Sequence, residues 1–409
     1  MQTLIHNAAL VLPDKLVENG WLLIEDDRIA DLGNSATCPE PGTIMHRIDA
    51  AGRFLMPGLI DLHSDDIEKL VEPRPNVHFD LNVALREADW RLAGCGITTE
   101  FHAVTLDDNE FSIRSDSFVR DLAQEIGNQS GSLLVRHKIH VRLELSSRRG
   151  VSVITEMLAD RMVVGQTNTG SDGSAMKHGW SREVGMLSLM DHSPGQGQYT
   201  TEKAYREYMQ RTRHKSDTEV DAILALKRSQ ASKIDERIER VARMARKAGL
   251  PIATHDADTV EKVEKWSAPG VTLSEFPTTI EAARRARELG IAVSMGAPNA
   301  LRGKSSSGNL SALGAIKAGI ADILCADYYP AAMLGTVFKL ATQNMLELPR
   351  AAQLVTLNPA KAVGLSGAFG SLEPGKIADL IIVNLNRQRI PIVQNVFVNG
   401  KERVTRSSH

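Results

Sequence analysis

Cysteine is scarce in this chain. Cys38, Cys95 and Cys325 are widely spaced and form no C-x-x-C pair. An odd, sparse count argues against a disulfide-built scaffold and fits a reducing cytoplasm. No apolar run of about 18 residues is present, so a membrane-spanning helix is not expected. The opening MQTLIHNAALVLPDKLVENG has no charged start followed by an apolar core, so a secretory leader is not expected either. Charge of one sign is also missing. Lys and Arg number 48 against 50 Asp and Glu, a net charge of −2. That leaves no chain-wide basic field for nucleic acid or a membrane surface. What is there is 409 residues, 42% hydrophobic and 24% charged. Such a chain can bury one large barrel and a smaller companion domain, or about two to three ordinary domains.

Both ends read as short strands. TLIHNAALVLP, GWLLIEDDRIADLG and TIMHRIDAAGRFLMP near the start, and GSLEPGKIADLIIVNLN and VQNVFVNGKERV near the end, are apolar runs broken by Gly, Pro and Asp-Asp turns. The economical assignment is one small β-sandwich domain built from both termini, residues 1–57 and 366–409. The middle, 58–365, alternates strands and helices. Its eight strand candidates are FLMPGLIDLHSD, ITTEFHAV, KIHVRLELS, GMLSLMDHS, PIATHD, VTLSEFP, IAVSMGAPN and DILCADYYP. Helical patterns cover Ala84–Ala93, Arg237–Ala248, Ile280–Leu289 and Leu310–Ala318. Eight such units predict an α/β fold of the (β/α)8 TIM-barrel type. Two excursions interrupt it. Residues 146–184, which include the polar GQTNTGSDGSAMKHGW, are expected to form a flexible loop. Residues 200–248 are charged and helical in pattern and are expected to be solvated at the barrel rim.

A barrel enzyme places its chemistry at the C-terminal ends of its strands. Here the apolar runs end in His63 and Asp65, Glu144, Asp191-His192, His255-Asp256, Glu275, Asn299 and Asp327. His63 and Asp65 are two apart and share a strand face. An imidazole and a carboxylate suit Zn²⁺, Mn²⁺ or Fe²⁺. Glu144 shares its face with His140 and Arg142, so it has two readings: an ion pair with Arg142, or a carboxylate bridging two metal ions. His192 and His255 are ligand candidates, with Asp191, Asp256 and Asp258 as orienting partners. Asp327 is either a helix cap or a metal ligand that exchanges a proton with water. The loop GAPNALRGKSSSGNL supplies Arg302, Gly303, Lys304 and Ser305 ahead of a helix, a composition suited to phosphate. Arg74, in EPRP, is a second basic candidate.

MPGLIDLHSD leading into the barrel, and LNPAKAVGLSGAFGSLEPGKIADLIIVN leading out of it, resemble the amidohydrolase superfamily. Five stretches in order, DLHSDDIEKLVEPRP, LSLMDHSPGQGQY, SEFPTTIEAARRARELG, GAPNALRGKSSSGN and ADYYPAAML, are similar to its α-D-ribose 1-methylphosphonate 5-triphosphate diphosphatase family, of the carbon–phosphorus lyase pathway. The resemblance implies a metal-dependent hydrolase that cleaves between the α and β phosphorus atoms of a small phosphorylated sugar. It implies His63, Asp65, Glu144, His192, His255 and Asp327 as metal ligands, two divalent ions with zinc first and manganese or iron as alternatives, and a homodimer. Asp65 stands where many members have histidine, and Glu144 where many have a carboxylated lysine. The 146–184 segment looks longer than that family leads one to expect. Two other readings remain: a hydrolase of amides, cyclic amides or N-acyl groups on the same metals, and a barrel used only as a scaffold.

Overall fold

The computed structural model describes residues 2–39, 46–106, 115–166, 179–193, 197, 201–213, 215–267, 270–305 and 309–406. The N-terminal segment supplies β1 (Gln2–Val11), β2 (Leu16–Glu25), β3 (Arg28–Asn34), β4 (His46–Asp49) and β5 (Phe54–Pro57). Eight short strands follow: β6 (Leu59–Ser64), β7 (Ile97–Leu106), β8 (Arg136–Glu144), β9 (Val184–Met190), β10 (Ile252–His255), β11 (Leu273–Glu275), β12 (Ala292–Gly296) and β13 (Ile323–Cys325). The chain ends in β14 (Leu380–Leu385), β15 (Pro391–Val398) and β16 (Lys401–Thr405).

Strands β6 to β13 pair in chain order, and every pair is parallel. The ring is brought round by one parallel bridge between Ser64 and Asp327. There the Asp327 amide donates to the His63 carbonyl and the Asp65 amide to the Asp327 carbonyl, both at 2.8 Å. Parallel strands covered by helices outside and packed side chains inside are apolar on both faces. Two separate cores result. Ile60, Leu62, Phe101, Met186, Ala253, Leu273 and Ile323, from six different strands, meet in one cluster that only the ring's interior can hold. A larger cluster lies between the strands and the outer helices. Gly185 makes room for the interior filling, since a Cβ there would lie 2.4 Å from the Phe101 ring.

The strands of both termini form one sheet in the order β16-β15-β14-β5-β1-β2-β3, with β4 pairing with β1. It has its own core of residues such as Leu22, Leu55, Leu380 and Phe397. The two ends of the chain meet where β5 runs antiparallel to β14. Arg136, at the start of β8, fastens the sheet to the barrel. It donates to Asp379 at 2.7 Å, to Thr99 at 2.9 Å and to Asn399 at 2.7 Å.

The excursions depart from expectation in one respect each. Residues 148–166 are a helix rather than loop, Arg148–Gln166. Val151, Ile154, Met157 and Leu158 are buried at helical spacing, a stripe that the polar residues beyond it hide from a composition-based reading. Most of the polar stretch, 167–178, lies outside the described residues. The second excursion is helical as expected, with Glu202–Arg213, Asp217–Gln230 and Ile234–Lys247. It is not uniformly solvated, because Lys227 is 8% exposed.

Candidate active site

The strand ends collect imidazoles and carboxylates at one mouth. His63 ends the body of β6 and is buried, with its Nδ1 3.0 Å from Glu275 Oε1 at the end of β11. Burial, followed by the nearby Arg142 guanidinium, holds His63 well below the usual imidazole range. The ring is therefore neutral. Donating from Nδ1 to the carboxylate leaves its Nε2 lone pair for a cation. Glu275 is itself held by Ser188, whose hydroxyl donates to Oε2 at 2.6 Å.

His192, two residues past β9, lies between two carboxylates. Its Nδ1 is 3.1 Å from Glu144 Oε2, and its Nε2 is 3.5 Å from Asp256 Oδ2. Burial lowers its pKa, but the bonds to Asp256 and Glu144 outweigh that and raise it. Glu144 ends β8. It accepts from Lys227 Nζ at 2.9 Å and from Ser146 at 2.7 Å, both on Oε1. Burial pushes the Glu144 carboxyl up, yet Lys227 and His192 together hold it far below the usual range. Of the two readings of Glu144, the ion pair with Arg142 is thus replaced by one with Lys227. Arg142 instead donates from Nη2 to His255 Nε2 at 3.3 Å. His255 ends β10, and its ring centroid lies 5.4 Å from that of His63 and 5.9 Å from that of His192.

Asp65 and Asp327 are tied together by the backbone bonds that close the barrel. Burial, then the charge of Asp65, pushes the Asp327 carboxyl up to about 7. Asp256, Phe276 and Asp327 all adopt left-handed backbone, with φ of 54°, 50° and 58°. Non-glycine residues held there cost about 1–3 kcal/mol each and cluster at functional sites.

A model of the amidohydrolase family matches residues 153–404. The chain belongs to the amidohydrolase family. It is 33% identical to the α-D-ribose 1-methylphosphonate 5-triphosphate diphosphatase of Escherichia coli strain K12, over 97% of this chain and 99% of that protein. It is 23% identical to an imidazolonepropionase of Pseudomonas aeruginosa, over 91% of this chain and 89% of that one. Among solved structures, the N-acetylglucosamine-6-phosphate deacetylase of Pasteurella multocida superposes with a TM-score of 0.59 at 13% identity, covering 98% of this chain and 99% of that one.

Amidohydrolases use divalent metals, and the residues of this one fit such an ion. Two groups of three donors lie within 4.8 Å of one another: His63, His255 and Glu275, and His192, His255 and Asp256. Asp65 Oδ1 is buried without a hydrogen-bond partner, while His255 Nδ1 and Asp256 Oδ2 face each other at 3.0 Å. Buried polar atoms are normally satisfied, so an unpartnered carboxylate oxygen at the same strand ends suits a cation. Of the six ligand candidates, the structure brings His63, His192 and His255 together. It links Glu144 to them through His192 and sets Asp65 and Asp327 at the barrel seam.

The amidohydrolase rim is basic on one side. Lys69 Nζ lies 5.1 Å over the Tyr328 ring, and Arg302 Nη1 is 3.4 Å from the Tyr328 hydroxyl. Arg302 closes the helix Ala297–Arg302, and Gly303 ends it in left-handed backbone, φ 78°. Lys304 and Arg74 are exposed and Ser305 is half-buried. Sequence reasoning missed Lys69, Tyr328 and Lys227. For Lys227 a signal existed: Val220, Leu224 and Lys227 recur at helical spacing, so the lysine lies on the buried stripe of Asp217–Gln230.

Proposed function

We propose that this amidohydrolase cleaves the α–β phosphoanhydride of α-D-ribose 1-methylphosphonate 5-triphosphate, releasing pyrophosphate and leaving the 5-phosphate, in phosphonate catabolism. One observation carries the reading: end-to-end identity of 33% with a protein named for that activity. The rim supports it, since Lys69 and Arg302 flank Tyr328, the residue after Asp327.

His63, His192 and His255, with Asp65, Glu144 and Asp327, would hold a divalent metal, zinc first and manganese or iron as alternatives. When bound, such an ion supplies Lewis acidity and makes water acidic enough to react at neutral pH. Asp327, with its carboxyl pushed up to about 7, is suited to accepting a proton and passing it on. Glu275 fixes the His63 tautomer. Arg302 and Lys304, with Arg74, Gly303 and Ser305, would meet the phosphates and offset the charge of departing pyrophosphate, because phosphoryl transfer rests on positioning and charge stabilisation. A cytoplasmic homodimer belongs to the same reading.

Incubation with the ribosyl triphosphate in ¹⁸O-water, followed by ³¹P NMR, tests it. Pyrophosphate release with label on the ribosyl 5-phosphate is the expected result. No turnover of that compound, alongside turnover of amides, overturns it. The imidazolonepropionase relative favours a cyclic amide as the second reading; there, removing Arg302 and Lys304 would leave activity nearly unchanged.

A further inference from the structure

Glu144 is surrounded by donors from this chain. It ends β8 and is 2% exposed. Its Oε1 accepts from Lys227 Nζ at 2.9 Å and from the Ser146 hydroxyl at 2.7 Å. Its Oε2 accepts from the His192 amide at 3.3 Å and from His192 Nδ1 at 3.1 Å. An ionised carboxylate has about four lone-pair sites, and these four donors fill them. Lys227 Nζ also donates to Ser146 Oγ at 3.0 Å, so lysine, serine and carboxylate close a triangle. An ion on Oε1 would meet a buried ammonium, where like charges repel strongly. An ion on Oε2 would take the acceptor from a backbone amide and a ring N–H, and leaving such donors unmet is costly.

The bond from His192 has a second effect. With Nδ1 turned to Glu144, the ring's other nitrogen, Nε2, faces Asp256 Oδ2 at 3.5 Å. Two ligands of one tetrahedral zinc ion, each bonded at 2.0–2.2 Å, lie about 3.4 Å apart. The spacing of Nε2 and Oδ2 is therefore that of two ligands sharing an ion. His63 repeats the arrangement on the other side of the mouth, with Nδ1 against Glu275. A ligating histidine commonly has its second nitrogen held by a carboxylate in this way.

We propose that Glu144 is a positioning residue and not itself a metal ligand. Backed by Lys227 and Ser146, it holds the His192 ring by Nδ1 so that Nε2 is presented, beside Asp256, to a divalent ion. The helix Asp217–Gln230, which carries Lys227, thereby helps to orient a ligand that belongs to the barrel. The inference rests on the metal-dependent part of the proposed function, revises the part Glu144 takes in it, and is indifferent to the substrate.

Two measurements without substrate test it. The first is a crystal structure of the unaltered protein loaded with Zn²⁺. Glu144 is expected to keep its bonds to Lys227, Ser146 and His192 and to stay more than about 3 Å from any zinc. A Glu144 oxygen within about 2.2 Å of an ion, a bonding distance, overturns the proposal. The second is competition for Zn²⁺ between a chelator and the folded Glu144→Gln protein. The variant should hold as many ions per chain as the unaltered protein, about ten- to a hundredfold more weakly. Loss of an ion would mean that Glu144 is a ligand, and unchanged affinity would mean that it positions nothing; either result overturns the proposal. An unaltered protein that takes up no zinc overturns the metal reading and this role with it. Failure to hydrolyse the ribosyl triphosphate, with zinc bound as expected, overturns the substrate reading alone.

Discussion

Lys227 Nζ lies 2.9 Å from Glu144 Oε1, although 83 residues separate them and the lysine comes from a helix outside the barrel's regular repeat. Both groups are buried. The helix Asp217–Gln230 is thereby anchored in the candidate active site by a charge rather than resting on the rim by apolar contact alone. Removing one partner of a buried pair strands the other's charge. Lys227→Met is therefore expected to destabilise the metal-free protein by about 3 kcal/mol. Adding Glu144→Gln should recover much of that loss. Urea unfolding of the two single variants and the double variant measures both numbers, and additive losses would contradict the pairing.

At the rim, Lys69 and Arg302 converge on Tyr328 from the segments after β6 and β12. Each is expected to contact phosphate rather than assist bond cleavage. Arg302→Ala and Lys69→Ala should raise KM for the ribosyl triphosphate by about tenfold, the size of one charge-assisted hydrogen bond, and change kcat much less. The penalty should shrink as salt is added, because exposed charges are screened. Steady-state kinetics at two ionic strengths read this directly.

Glu100 is buried on β7 with neither carboxylate oxygen hydrogen-bonded. Burial, then the charge of Asp61 on β6, pushes its carboxyl well above the usual range. An acid whose pKa is raised on folding binds more protons in the native state than in the unfolded one. The stability it contributes is full below its ordinary value of about 4.3 and is lost as pH rises toward the folded value. Glu100→Gln should therefore flatten the fall in stability on the alkaline side and leave the chain more stable than the parent at pH 8. Unfolding midpoints between pH 4 and pH 8 decide it, and parallel curves would refute the assignment.

The terminal sheet is fastened to the barrel by the bond from Arg136 to Asp379, whose other oxygen accepts from the Asn399 amide at 2.9 Å. Asp379→Ala strands a half-buried guanidinium and a backbone donor. A loss of about 2 kcal/mol is expected, visible as a lower thermal midpoint with metal content unchanged. Loss of metal together with stability would instead mean that the sheet shapes the strand ends directly.

Much of this architecture was legible in the sequence because barrel strands carry their own signal. PIATHD and DILCADYYP are apolar on both faces and end in a polar residue, which is what a strand buried in a ring and emptying into a site must look like. The three histidines that converge, His63, His192 and His255, were readable for the same reason. The partner of Glu144 was not. Arg142, two residues away on the same strand, offered a local answer, and the real partner lies on a distant helix whose lysine resembles a surface residue in composition. The helix Arg148–Gln166 was obscured by the polar stretch that follows it. Tyr328 and Lys69 went unremarked because their role comes from two segments meeting across the mouth, which no spacing along one segment can show.

The seam between Ser64 and Asp327 has a bearing on how the chain becomes active. The first and last barrel strands are bridged there, and β5 needs β14 to complete the sheet from the termini. These are contacts of very high sequence separation, whose loop-closure entropy makes them slow to form. The mouth cannot exist until nearly the whole polypeptide has left the ribosome. His63 on β6, made early, must wait for Glu275, and the ring stays open until Asp327 arrives to shut it.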